Sequence, residues 1–244
     1  MSKSFLMGNE AIGLGAVRAG VKVVSGYPGT PSTEVLETVA KHNPGDIYVE
    51  WSVNEKAGME VAAAAAYTGA RTMVTMKQVG LNVASDPLMS LAYVGVKGGM
   101  VVVVADDPGP ISSQTEQDTR RFGQFSKLPV FDPSSPEEAY EMIKDAFEYS
   151  EKYHTPVLFR PTTRLCHGCA SVELKERVKL PAPEGFVKDS GKWVIFPRLS
   201  HANHRMIEAR NPIIGEDFSS YRFNLLHREE GSLMASATGL SWKP

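Results

Sequence analysis

With 244 residues, 42% of them hydrophobic and 22% charged, the chain has the composition of a globular protein able to bury one large core. A net charge of −2 argues against nucleic acid as a bulk electrostatic partner. Two cysteines make no disulfide framework, no apolar run is long enough to span a bilayer, and the opening MSKSFLMGNEAIG lacks the apolar core of a signal peptide. A cytoplasmic protein with no membrane segment is expected.

Residues 9–19 carry Ala, Leu and Val at helical spacing and end at Gly20, and residues 21–24 form a short buried strand. The turn-rich stretch from Ser25 to Thr33 leads into a helix over 34–41, with Thr30 as its N-cap and Pro31 in its first turn. Residues 47–50 are the second strand. Ser52 followed by Glu55 fits a capping box, opening a third helix over 53–68 that runs through an alanine block and stops at Gly69. Residues 71–76 form a strand, 77–80 a loop, and 81–93 a helix that contains Pro87. The run GMVVVVA at 99–105 is apolar throughout, as a central strand of a parallel sheet is.

Residues 106–125 read as a long polar loop with at most one helical turn. Val130 is a short strand. Ser135, with Pro136 and two glutamates behind it, opens a helix reaching Tyr153. Residues 155–160 complete the unit. Strands alternating with helices predict a parallel α/β sheet covered on both faces. The texture then changes. Prolines and mixed charges over 161–191 suggest a surface linker, with strand, helix and extended pieces at 193–196, 202–211 and 218–226. Residues 232–240 look like the first strand of another unit. The division expected is an α/β domain over 1–165, a connecting segment over 166–230 and the stub of a second α/β domain over 231–244, as in a truncated chain.

Glu55 sits at a helix start beside the C-terminal edge of a strand, where open α/β sheets bind ligands. Taken alone it reads first as a helix-capping carboxylate, which needs no other role. The alanine block serves close packing, ordinarily of helix on sheet, or at a dimer interface. Cys166-His-Gly-Cys169 with His201 and His204 would make a Cys₂His₂ set on paper, but a lone CxxC in a linker is a half-motif, and no metal ligand is assigned. Asp118-Thr-Arg-Arg121 is a solvated face or a subunit contact. No Walker A or dinucleotide fingerprint occurs.

Several stretches in order carry a resemblance: GYPGTPSTEV at 26–35, EWSVNEKAGMEVAAAAAYTGARTMVTMKQVGLNVASDPL at 50–88, ADDPGPISSQTEQDTR at 105–120 and RPTTRLCH at 160–167. In these the chain resembles the N-terminal part of the alpha subunits of indolepyruvate-type 2-oxoacid:ferredoxin oxidoreductases, which use thiamine diphosphate. The resemblance implies a pyrimidine-binding thiamine diphosphate fold in which Glu55 hydrogen-bonds the aminopyrimidine nitrogen and is catalytic. It places Pro28 and Thr30 against cofactor and substrate, and Gln78 and Gly80 on a loop near the cofactor. The implied reaction is oxidative decarboxylation of arylpyruvates to aryl-acetyl-coenzyme A with ferredoxin as acceptor. The arginine that grips the substrate carboxylate in related pyruvate enzymes has no counterpart at Asp106-Asp107, which leaves the carboxylate's partner open. The diphosphate-binding part with its Mg²⁺, and the cysteine runs of [4Fe–4S] clusters, are absent from this sequence; one such cluster takes four cysteines. The implied partners are a beta subunit, the diphosphate-binding and ferredoxin-like parts, ferredoxin and coenzyme A, in a dimer or heteromer. Alternatives are a non-catalytic interaction module and a two-chain thiamine-dependent decarboxylase.

Overall fold

The computed structural model describes residues 2–224. Six parallel strands form one sheet: β2 (Val23–Gly26), β3 (Tyr48–Trp51), β4 (Thr72–Lys77), β5 (Met100–Ala105), β6 (Val130–Phe131) and β7 (Val157–Phe159), in the order β3-β2-β4-β5-β7-β6. The helices are α1 (Gly8–Arg18), α2 (Thr33–Lys41), α3 (Glu55–Tyr67), α4 (Gln78–Val94), α5 (Thr119–Ser126), α6 (Pro136–Tyr153), α7 (Thr163–His167), α8 (Ser190–Trp193) and α9 (Pro197–Ser219). On one face, Ile12, Val35, Leu36 and Ile143 of α1, α2 and α6 meet Val24, Met73, Val101 and Phe159. On the other, Met59, Ala62, Ala66, Leu81 and Leu88 of α3 and α4 meet Val74, Met76, Val102 and Leu158. Two covered faces explain why β5 is apolar at every position. The alanines of α3 are spent on this helix–sheet contact, where small side chains let the helix lie close.

The chain steps from β2 outward to β3, then crosses back past β2 to β4 and continues the other way. The order in which strands are added therefore reverses between β2 and β4. At such a switch point the connections leave on opposite faces, and a crevice opens at the carboxyl ends of the strands.

Several boundaries differ from the sequence reading. Ser2–Met7 is a strand, β1, paired antiparallel with Cys169–Leu174, β8, so the stretch read as linker contains a strand that ties the N-terminus down. Residues 78–80 are the first turn of α4 and not a loop. The third helix is capped by Asn54, whose side chain accepts from Ala57 N at 2.9 Å, while Ser52 turns its hydroxyl to Glu50 at 2.8 Å. The N-cap of α2 is Ser32 and not Thr30. Residues 119–126 form a full helix, 190–193 a helical turn in place of a strand over 193–196, and α9 runs on to Ser219 where an extended piece was expected from 218. The strand expected at 232–240 lies outside the described residues.

Outside the sheet, α9 packs on α4, with Tyr93 Oη 3.1 Å from His204 Nδ1. Phe218 and Tyr221 join Phe131 and Tyr149 in an aromatic cluster with ring centroids 5.1 to 6.3 Å apart. No helix of the described residues is long and apolar enough to cross a membrane.

Candidate functional site

The crevice between β2 and β4 is built from three short backbone segments. Behind β2, the loop from Tyr27 turns back on itself: Ser32 N and Ser32 Oγ both donate to Gly29 O, at 2.8 and 2.9 Å, and Gly29 N donates to Thr33 Oγ1 at 3.0 Å. Buried Asn9 holds the loop from below, donating to Pro31 O at 2.7 Å and Glu34 Oε2 at 2.8 Å. Pro28 and Thr30 are exposed at its tip, and the Thr30 hydroxyl has no partner among the described residues. Behind β3, the Asn54 cap fixes the first turn of α3 and puts Glu55 at its first position, where the positive end of the helix dipole favours a carboxylate. Buried Gly58, one turn on, faces the Gly26 backbone of β2, where a Cβ would make ordinary contact at 3.5 Å.

Behind β4, the first turn of α4 begins without a loop. Its Gly80 faces Glu55: a Cβ on Gly80 would stand 2.5 Å from Glu55 Oε1, 2.7 Å from Cγ and 2.9 Å from Cδ. The Glu55 side chain thus lies flat on a surface that only glycine leaves open. It is half-buried, and its carboxylate makes no hydrogen bond or ion pair among the described residues. The loop from β2 closes the third side, because Gly29 sits against the Lys77 stem, with a Cβ there 3.0 Å from Lys77 Cδ.

Gln78 is buried, and its amide is already engaged. Its Oε1 accepts from Asp107 N at 3.2 Å and Gln117 N at 3.3 Å, and its Nε2 donates to Thr115 O. Gln78 therefore shapes the 107–118 loop, and its side chain is not presented to the crevice. Two buried aspartates finish that loop. Asp107 Oδ2 accepts from the backbone N–H groups of Ile111, Ser112 and Ser113 at 2.9 to 3.0 Å, and Oδ1 accepts from Thr163 Oγ1 at 2.7 Å. Burial pushes the Asp107 carboxyl up, but these four donors outweigh it and hold it down to about 2. Asp106 accepts from Thr119 N at 2.9 Å and from Arg160 Nε at 2.6 Å, and burial raises its carboxyl in spite of them. Arg160 also reaches Asp132 at 3.2 Å, so this arginine is committed to buried ion pairs. Beside the first turn of α4, Leu81 and the edge-to-face pair Phe122 and Phe125 line an open cleft of about 270 Å³.

The structure thus brings Glu55, Gly80 and the Pro28–Thr30 loop to one edge and sets Gln78 behind them. Sequence reasoning missed Lys77, which stands among them; its signal was a lysine closing a buried strand directly before a glycine-bearing helix turn. Cys166 is buried in α7, Cys169 is exposed on β8, and His204 is engaged with Tyr93. Among the described residues no group of three or more His, Cys, Asp or Glu could hold a metal ion.

A half-buried carboxylate without a partner, lying on glycine at a switch-point crevice, fits the polar edge of an aminopyrimidine, which offers a ring nitrogen and an amino group. It matches that half of thiamine diphosphate. A site for the metal-bound diphosphate is not formed by these residues.

The family described as pyruvate flavodoxin/ferredoxin oxidoreductase, thiamine diphosphate-binding, matches residues 14–232. The chain is 49% identical over 208 residues to indolepyruvate oxidoreductase subunit IorA of Methanothermobacter thermautotrophicus, covering 84% of this chain and 33% of that one. It is 42% identical to the same-named subunit of Archaeoglobus fulgidus, covering 98% of this chain and 40% of the relative. It therefore spans a third to two fifths of the length of these relatives. A 2-oxoglutarate:ferredoxin oxidoreductase structure from Magnetococcus marinus, with 2-oxoglutarate, coenzyme A and succinyl-CoA bound, superposes with a TM-score of 0.69 at 20% identity, over 90% of this chain and 46% of that one, and supports the fold. Matched over most of its length, the chain belongs to the thiamine diphosphate-binding family of the pyruvate flavodoxin/ferredoxin oxidoreductases.

Proposed function

We propose that the chain supplies the pyrimidine-binding half of a thiamine diphosphate site in an oxidoreductase that acts on arylpyruvates, chiefly indolepyruvate. The overall change would be ArCH₂COCOO⁻ + CoASH → ArCH₂CO–SCoA + CO₂ + H⁺ + 2e⁻, with ferredoxin taking the electrons. The observation that carries this reading is Glu55, unpartnered and laid on Gly80 at the switch point. Bound thiamine diphosphate supplies the nucleophilic carbon and the electron sink for decarboxylation. Glu55 shares a proton with the pyrimidine nitrogen. Its helix-start mount fixes the backbone from which the carboxyl reaches the ring. Gly80 lets the ring edge and the carboxyl meet without a side chain between them. Pro28 and Thr30 border the ring and the substrate, and Gln78 acts through the 107–118 loop that it ties.

In this reading Mg²⁺, the iron–sulfur clusters and the diphosphate-binding surface belong to other parts of a cytoplasmic heteromer with a beta subunit. Residues 166–230 connect the α/β domain to the start of the next unit. The names of the relatives support the arylpyruvate assignment, since two of them act on indolepyruvate.

Titration calorimetry tests the half-site. Thiamine diphosphate with Mg²⁺ is added to the chain alone and to the chain mixed with the separately produced diphosphate-binding part. Saturable heat is expected only from the mixture, and it weakens in Glu55→Gln. Equal binding by Glu55→Gln would sink the proposal. In the assembled enzyme, turnover without coenzyme A and without ferredoxin reduction would point to a simple decarboxylase.

A further inference from the structure

A 2-oxo acid brings a carboxylate to the crevice, and burying that charge requires a cation. The arginine next to the central strands cannot supply it. Arg160 is 6% exposed and spends its guanidinium on Asp106 at 2.6 Å and Asp132 at 3.2 Å. Pulling it out would take the cation away from the fully buried Asp106 carboxylate. Other cations near this edge are also engaged. Lys56 pairs with Asp86 at 2.8 Å and Arg120 with Asp118 at 2.8 Å, while Arg121, exposed and donating only to the neutral amide of Gln124 at 3.2 Å, stands on α5 behind β5, one strand away from β4. Arg164 has no ion pair among the described residues, but it follows β7, two strands away from β4.

Lys77 is different. It is the last residue of β4 and the N-cap position of α4, so it stands at the switch point itself. It has no hydrogen bond or ion pair among the described residues. Its stem is pinned: Gly29 is so close that a Cβ there would fall 3.0 Å from Lys77 Cδ and 3.2 Å from Cγ. A lysine normally loses much side-chain freedom when it grips a ligand. Here the loop has already restricted the stem while leaving the ammonium unpaired. Gly80, which carries Glu55, lies in the same first turn, roughly 5–6 Å away along the helix surface. The crevice thus offers one acid and one cation at the two ends of a single helical turn.

We propose that Lys77 holds the carboxylate of the 2-oxo acid substrate, replacing the arginine that the neighbouring strand end lacks. The inference rests on the thiamine reading for the identity of the reaction. It adds the group that positions the substrate. The ammonium meets the carboxylate before carbon dioxide leaves and has no such partner afterwards, so Lys77 contributes to substrate binding and not to retention of the aryl-acetyl product.

The test uses the assembled enzyme with its partner subunits. The non-reacting probes are indole-3-lactate, which keeps the carboxylate, and its amide, which does not. In Lys77→Met, KM for indolepyruvate and the inhibition constant of indole-3-lactate are expected to rise at least tenfold, as for loss of a charge-assisted hydrogen bond. Inhibition by the amide and calorimetric binding of thiamine diphosphate should stay at the parent level, and Lys77→Arg should restore part of the lactate affinity. Unchanged lactate inhibition overturns the inference. An equal loss for lactate and amide, or a loss of thiamine diphosphate binding, also overturns it, because Lys77 would then be acting through the fold. Failure of the parent enzyme to bind thiamine diphosphate would overturn the underlying reading as well, and the calorimetry separates that case from the others.

Discussion

Replacing Gly80 by alanine isolates the Glu55 contact from the stability of the fold. The added Cβ would lie 2.5 Å from Glu55 Oε1, and ordinary contact begins at 3.4 Å, so the oxygen must retreat by about 0.9 Å. All three atoms met belong to the Glu55 side chain, which can rotate toward solvent, and none belongs to backbone. The helix itself gains, since alanine in place of glycine stabilises a helix by up to about 1 kcal/mol. The retreat is costly only to a ligand. A hydrogen bond of about 2.8 Å to a fixed ring would lengthen to roughly 3.7 Å and cease to be one. Losing a charge-assisted hydrogen bond costs about 1.5–3 kcal/mol, or a weakening of thiamine diphosphate binding of roughly 10- to 100-fold. The assays are calorimetric titration of the reconstituted half-sites and thermal unfolding of the chain. The expected pattern is equal or higher Tm with weaker binding. A chain destabilised by more than about 1 kcal/mol, against the propensity gain, would show that Glu55 cannot swing away. Undiminished binding would show that the ring does not meet Glu55 where the structure presents it.

The neighbouring glycine behaves oppositely. Gly26→Ala would press a Cβ to 2.8 Å from the Thr75 carbonyl oxygen, which cannot move without the sheet, so a loss of about 2 kcal/mol is expected in denaturant unfolding. Acid should loosen the 107–118 loop. Asp107 is held at about 2 against an ordinary 3.8, so its contribution of about 2 kcal/mol is complete above pH 3.8 and disappears as pH falls through about 2. Protection of the Ile111, Ser112 and Ser113 amides, relative to their intrinsic exchange at each pH, should fall over that interval in the parent, and Asp107→Asn should flatten the dependence; constant protection across it would contradict the assignment. Asn54→Ala should cost about 1 kcal/mol of helix stability through loss of the Ala57 N contact. Glu55→Gln should cost no more than the few tenths to 1 kcal/mol of a helix-dipole charge while weakening binding.

The parallel sheet was legible because each strand–helix alternation is local and β5 is apolar along its whole length. The crevice was legible as the place where Glu55 begins a helix behind a strand. Finer assignments failed where two nearby residues compete for one role. Ser52 and Asn54 are both good caps, and the Ser52 hydroxyl goes to Glu50, two residues back, which leaves the cap to Asn54. Residues 78–80 read as loop because no capping side chain precedes them and a glycine sits in the turn; that glycine is kept by the Glu55 side chain lying against it. The β1–β8 ladder joins Met7 to Cys169, and pairing over such a separation leaves no local trace. The pair Asp106-Asp107, which in sequence resembles a solvated turn, is fully buried because each carboxylate has enough donors to replace water.

The separation of Asn54 from Glu55 also bears on how the site works. A single carboxylate that capped its own helix would be held by backbone N–H groups, and binding a ring would mean breaking those bonds first. Here the neutral amide of Asn54 closes the helix, and the acid one residue later is left without an internal partner. Its charge is tolerated by half-exposure and the helix dipole, neither of which must be given up when a ligand arrives. Asn54 thus contributes the stability of the mount while Glu55 contributes an unspent acceptor, which is why the two substitutions should divide between unfolding and binding and not both appear in each.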